Sequence, residues 1–131
     1  MTLLSDVGLR ADVLAAQSAI ADITGIDPRP WFRCPFGDGS DDPRVLSALR
    51  ELGYRDVNWD ADGGDWDAER SPRDVAGDTI QGLKARGDGA IALFHTWPAT
   101  TLEALRRAVE DLDRTGAEYV RLDQLDRFAP V

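Results

Sequence analysis

The chain has 131 residues, 43% hydrophobic and 30% charged, with 24 acidic against 15 basic side chains and a net charge of -9. That length supports one domain with a real core, and the acidity argues against a nucleic-acid partner or an anionic membrane surface, both of which demand a basic face. Cys34, the one cysteine, leaves no partner for an internal disulfide or a thiolate cluster, and no stretch approaches the roughly 18 apolar residues of a membrane helix.

The opening Met-Thr-Leu-Leu-Ser-Asp has no basic flank and no apolar run of signal-peptide length, so the chain as written is expected in the cytoplasm, although a longer natural product could be exported. Ser5 or Asp6 caps a first helix that Gly25 stops. Leu9, Val13, Ala16, Ile20 and Ile23 step by four and three along it, one apolar stripe. Pro28 and Pro30 break the chain and extend it into a short strand, Trp31-Phe32-Arg33. Cys34 to Ser40 is a loop rich in turn residues. Asp42 and Pro43 then supply an N-cap and a first-turn proline for a helix through Val45, Leu46, Leu49 and Leu52, ended by Gly53.

Tyr54 to Trp59 reads as the next strand, and residues 60–70 as a long acidic loop, of a length that is often functional. Ser71-Pro72-Arg73-Asp74 opens a third helix that Gly87 stops. The apolar run Ala90 to Phe94 reads as a strand buried on both faces, and it ends on His95, the only histidine. Thr100 with Glu103 makes a capping box for a fourth helix, whose stripe is Leu102, Leu105, Val109 and Leu112 and whose stop is Gly116. A last short strand over Glu118–Leu122 and a helical turn over Asp123–Phe128 complete the pattern.

Helices alternating with strands predict an α/β fold of parallel strands joined by right-handed crossovers. The pattern opens on a helix and offers only four strands, so it reads as the later part of a larger α/β unit. Open sheet edges then invite an oligomer or partner to cover them.

Chemistry in such folds gathers at the carboxyl ends of strands. Three of these ends stand out: Arg33 with Pro35-Phe36-Gly37, then Asp65-Trp66, then His95. With parallel strands all three fall on one rim. An Asp accepting from a His fixes its tautomer and raises its basicity, an Arg holds a carboxylate ionised and oriented, and Trp and Phe supply flat walls that suit sugar rings. Plainer readings stand beside these. Arg33 could simply pair with an acidic residue, His95 could bond backbone from a loop, and Trp66 and Trp97 could plug the sheet end. Cys34 reads as a small buried filler rather than a reactive thiol. Counting from Asp60, the sixth and twelfth places hold Asp65 and Ser71 where a calcium loop needs Gly and Glu, so no specific calcium site is expected. Gly37-Asp38-Gly39-Ser40 lacks the lysine of a phosphate loop.

Taken together these residues resemble the polysaccharide deacetylases, the NodB-homology domain of carbohydrate esterase family 4. Arg33-Cys34-Pro35-Phe36-Gly37 matches that family's third motif, Arg-x-Pro-[Tyr/Phe]-Gly; Asp65-Trp66 matches the fourth, and Leu93-Phe94-His95 the fifth, Leu-x-His. The resemblance covers essentially the whole chain, as one partial domain over 1–131. It implies the later part of a distorted (β/α) barrel, and hydrolysis of N-acetyl or related acyl amide groups on sugars or polysaccharides with zinc or another divalent metal. It further implies that Arg33 orients the catalytic base, that Asp65 tunes His95, and that His95 is the general acid toward the leaving amine. Leu93 and Trp66 would line the pocket for the acetyl methyl group, with Pro35, Phe36 and Gly37 also on the substrate side.

The departures carry as much weight. The family's first motif, Thr-Phe-Asp-Asp, and its second, His-x-x-x-His, supply the base and the metal ligands, and neither occurs here. Asp41-Asp42 follows the third motif and reads as a helix cap. Cys34 stands where the family often has Pro, and Thr96 where Asp often follows the histidine. Zinc hydrolysis needs about three protein ligands and an open position, so no metal or other cofactor is expected for this chain alone. The expectation is a truncated deacetylase. The alternatives are a catalytically inactive carbohydrate-binding or regulatory module, and an unrelated α/β enzyme using His95 and Asp65 without a metal.

Overall fold

A computed structural model describes residues 1–128 as two compact units, Met1–Asn58 and a second beginning at Trp59. The first holds α1 (Asp6–Thr24), β1 (Trp31–Phe32), α2 (Pro43–Glu51) and β2 (Arg55–Asp56). Ser5 stays extended and its hydroxyl accepts from the Gly8 N–H at 3.2 Å, satisfying one orphan donor of the first turn. Gly25 ends the helix in the left-handed region, φ 69°, with its N–H on the Ala21 carbonyl. Asp42 caps α2 and Pro43 fills its first position.

Leu9 and Val13 from α1 join Val45, Ala48 and Leu49 from α2, with Cys34 and Tyr54, in one buried cluster. The predicted α1 stripe is buried only that far: Ala16 and Ile20 are exposed, and Ile23 is 85% exposed. Length explains the difference. At about 1.5 Å per residue, the 9 residues of α2 run alongside under half of the 19 of α1. β1 and β2 pair in parallel, Trp31 opposite Arg55 and Phe32 opposite Asp56. Both strands are shorter than the sequence pattern, since Arg33, Tyr54 and residues 57–59 lie outside them.

The second unit holds β3 (Ala61–Asp62), α3 (Pro72–Arg86), β4 (Ala92–Leu93) and α4 (Thr101–Arg114), followed by a 3-10 segment, Leu122–Phe128. β3 and β4 are again parallel, Ala61 opposite Ala92 and Asp62 opposite Leu93. β3 lies inside the stretch read from the sequence as loop. It is held close under α3 by missing side chains: a Cβ on Gly63 would stand 2.4 Å from the Val75 carbonyl oxygen, and one on Gly82 would stand 2.8 Å from Ala61 Cβ.

Three expectations are corrected here. Residues 90–94 are half-buried rather than buried on both faces, because among the described residues β3 is the only strand that pairs with β4. Residues 118–121 form no strand, and the Tyr119 hydroxyl instead donates to the Asp113 carboxylate at 3.0 Å, near the end of α4. In α4 the buried positions are Ala104 and Ala108, while Leu102 is 71% exposed. The helical period was right and the face was wrong. Small side chains at 104 and 108 let α4 approach α3, where Ala76 and Ile80 meet Ala108, with Phe94 packed alongside. No helix among the described residues is long and apolar enough to cross a membrane.

Candidate active site

The parallel register brings the ends of β3 and β4 level, so Asp65 and His95 emerge side by side, three and two residues past the paired Asp62 and Leu93. The chain turns between Asp62 and Asp65 at Gly63 and at Gly64, where φ is 67° and the N–H donates to Asp62 Oδ1 at 2.8 Å. Asp65 is 1% exposed, and its carboxylate accepts three hydrogen bonds. Oδ2 takes the His95 backbone N–H at 2.8 Å and the Thr101 hydroxyl at 2.6 Å, and Oδ1 lies 2.7 Å from His95 Nδ1. The Thr100 hydroxyl donates to the backbone carbonyl of the same Asp65 at 3.2 Å.

Burial alone would raise the Asp65 pKa, but the His95 N–H, the Thr101 hydroxyl and the His95 ring together outweigh it and hold the carboxyl below its ordinary value. An ionised Asp65 takes its proton contact from Nδ1–H, which fixes the tautomer of His95 and turns the lone pair to Nε2. Nε2 has no protein partner among the described residues. The ring is packed edge-on against Trp97, centroids 4.4 Å apart and planes at 61°. The arrangement can take up or release a proton at one atom, Nε2, while the carboxylate behind it stays charged.

Of the other residues expected at the site, this unit holds Leu93, half-buried in β4, and Trp66, next in sequence to Asp65 and 58% exposed. Trp97 is 71% exposed, so neither tryptophan is a buried plug. Arg33, Pro35, Phe36 and Gly37 belong to the first unit. Arg33 Nε donates to the Val57 carbonyl at 3.0 Å. Pro35–Gly37 is a single 3-10 turn that projects Phe36 fully into solvent with φ 57°, a conformation bulky side chains rarely adopt. Cys34 before it is a buried filler, its thiol pushed up to about 11 chiefly by burial.

Two residues missed in the sequence complete the pair. Thr100 makes no capping bond, and the expected capping box is absent because its hydroxyl is committed to Asp65; Glu103 instead pairs with Arg107 at 2.8 Å. Thr101, one residue on, holds the carboxylate. Two adjacent threonines after a strand-end histidine were the only available signal. No three His, Cys, Asp or Glu side chains converge among the described residues. His95 Nε2 is one donor with no second or third ligand converging on it, so this donor set does not fit a zinc ion.

No family model matches the chain. Over 113 residues it is 30% identical to the peptidoglycan-N-acetylglucosamine deacetylase PgdA of Listeria monocytogenes, an overlap of 86% of this chain and 22% of that protein. It is 33% identical over 112 residues to the peptidoglycan-N-acetylmuramic acid deacetylase PdaA of Bacillus subtilis, 85% of this chain and 41% of that one. Its structure matches a family 4 carbohydrate esterase from Streptomyces lividans, solved in complex with acetate, with a TM-score of 0.74 at 28% identity, over 95% of this chain and 62% of the esterase. This chain is part of a carbohydrate esterase family 4 domain. It spans under half the length of the curated relatives it matches, and its parallel α/β architecture is a partial copy of the family 4 (β/α) barrel.

Proposed function

We propose that this chain contributes the proton-donating side of a deacetylase site for N-acetylated glycans, peptidoglycan among them. The observation that carries this reading is the Asp65–His95 pair, a buried carboxylate with three donors at the ends of two parallel strands. Amide hydrolysis stalls unless the nitrogen of the tetrahedral intermediate is protonated before it leaves. A protonated His95 would deliver that proton from Nε2, and the neighbouring Asp65 would stabilise the cation and keep the ring aimed. Asp65 stays ionised throughout. Arg33 would orient the catalytic base, Trp66 and Leu93 would enclose the acetyl methyl group, and the turn Pro35-Phe36-Gly37 would meet the sugar. A divalent metal, where held, would supply Lewis-acid polarisation of the amide carbonyl and a more acidic water. The donors present here do not fit it, so the base and the metal ligands must come from outside these residues for hydrolysis to proceed.

The same lack of a ligand cluster, with Trp66 and Trp97 both exposed, favours a second reading: a module that binds the glycan without cleaving it. One pair of assays separates the two. N-acetylglucosamine oligomers are titrated against tryptophan fluorescence, and acetate release is followed with zinc after the chain is joined to a segment that supplies the base and the metal ligands. Binding with acetate release from the joined protein that falls 100-fold or more in His95→Ala supports the deacetylase. Binding unchanged in His95→Ala, without acetate from the joined protein, supports the module. Neither binding nor acetate overturns both.

A further inference from the structure

Resting on the deacetylase reading, we propose that Thr101 is the positioning residue of the Asp65–His95 pair, fixing the carboxylate so that His95 is held as the Nδ1–H tautomer with Nε2 presented for proton transfer. A carboxylate opposite a histidine can rotate, and its two oxygens compete for the ring. Here that freedom is removed. Oδ2 is anchored twice, by the His95 backbone N–H at 2.8 Å and by the Thr101 hydroxyl at 2.6 Å, which leaves Oδ1 to face Nδ1 at 2.7 Å. The His95 N–H comes from the main chain just past β4 and holds Oδ2 from one side. Thr101 comes from α4 and supplies a second fixed point from another element, so that Oδ2 cannot swing about the first.

Several details of α4 agree with this assignment. Thr101 lies on the face that also carries the buried Ala104 and Ala108, so its hydroxyl is held by the packing of the helix and not by a mobile loop. Thr100 has its own hydroxyl on the Asp65 backbone carbonyl in place of the N-cap that threonine usually makes. Two successive threonines thus tie both the main chain and the side chain of Asp65 to the start of one helix. A threonine at 101 serving only the helix would have no reason to reach a buried carboxylate 36 residues away.

The protein has a single histidine, so its imidazole nitrogens and ring protons are read by NMR without ambiguity, on the chain alone and with no sugar present. Wild type is expected to show a low-field Nδ1–H proton and nitrogen shifts of one tautomer at neutral pH. Thr101→Val, which keeps the shape and removes the donor, is expected to lose the low-field proton to exchange and to show averaged nitrogen shifts. Thr101→Ser is expected to restore both. A folded Thr101→Val with the wild-type signature overturns the proposal, as does a folded Thr101→Ser with the signature lost. If Thr101→Val does not fold, Thr101→Ala replaces it under the same criteria, and Thr101→Ser decides if neither folds. Because the readout is the tautomer and not acetate, a chain that proves to bind glycans without cleaving them leaves this test intact.

Discussion

Asp65 is where a single ionisation bears on stability. Its carboxyl is held below the ordinary 3.8 in the folded chain by the donors from His95 and Thr101, against the opposing effect of burial. A group whose folded pKa is depressed contributes stability that is complete above its unfolded value and is lost as pH falls through the folded one. The second unit should therefore weaken as pH drops below about 4, where Asp65 must take up a proton and release its donors. Asp65→Asn carries no such charge. Its melting temperature is expected to start lower at pH 6 and to fall less steeply than wild type between pH 5 and 3, as measured by circular dichroism. Parallel slopes for the two proteins would mean that Asp65 is not held ionised. The strand-end position of His95 was legible from the apolar run before it, whereas the strand that carries Asp65, Ala61–Asp62, lies in the stretch read as loop. Thr101 was not legible, because what it touches is set by how α4 docks.

At the scale of elements, helices were read well and strands poorly, for one physical reason. Caps are local. Ser5, Asp42 and Ser71 each accept a backbone N–H within three residues of themselves, and Gly25 and Gly87 terminate their helices in place. A ladder two residues long exists only through a distant partner, so Ala61–Asp62 offers no period to detect and Glu118–Leu122, with an ordinary strand composition, forms none. The close seating of β3 under α3 gives a sharp expectation. Gly63→Ala would push a methyl group to 2.4 Å from the Val75 carbonyl oxygen and 2.5 Å from the Thr79 hydroxyl, and neither atom belongs to a flexible chain end. We expect a loss of about 1–3 kcal/mol in chemical denaturation, with the transition of the second unit affected. Gly77→Ala on the outer side of the same helix, with nothing within 4 Å, should be neutral or stabilising by up to about 1 kcal/mol. If the two substitutions behave alike, the close approach is not real.

Over the whole molecule, a net charge of -9 opposes association, yet α1 and the turn after it carry apolar side chains that no described residue covers: Val7 at 80% exposure, Ile23 at 85% and Ile26 at 67%. Patches of this kind promote self-association when their neighbours are absent. The double substitution Ile23→Glu with Ile26→Glu is expected to lower the concentration dependence of the sedimentation coefficient. Melting should change little, because surface changes of this kind stay within about 0.5 kcal/mol each. Sedimentation that is already independent of concentration in wild type would show that the charge prevails.

The contact between Gly82 and Ala61 has a further consequence. A Cβ on Gly82 would sit 2.8 Å from the Ala61 methyl, so the strand and the helix hold room for one methyl group between them, and it currently belongs to the strand. Neither position can vary freely while the other stays as it is. Gly82→Ala alone should be poorly tolerated, and Ala61→Gly should leave a small void. Made together they would hand the same methyl from strand to helix, so a route of sequence change through this interface opens only when both steps are taken.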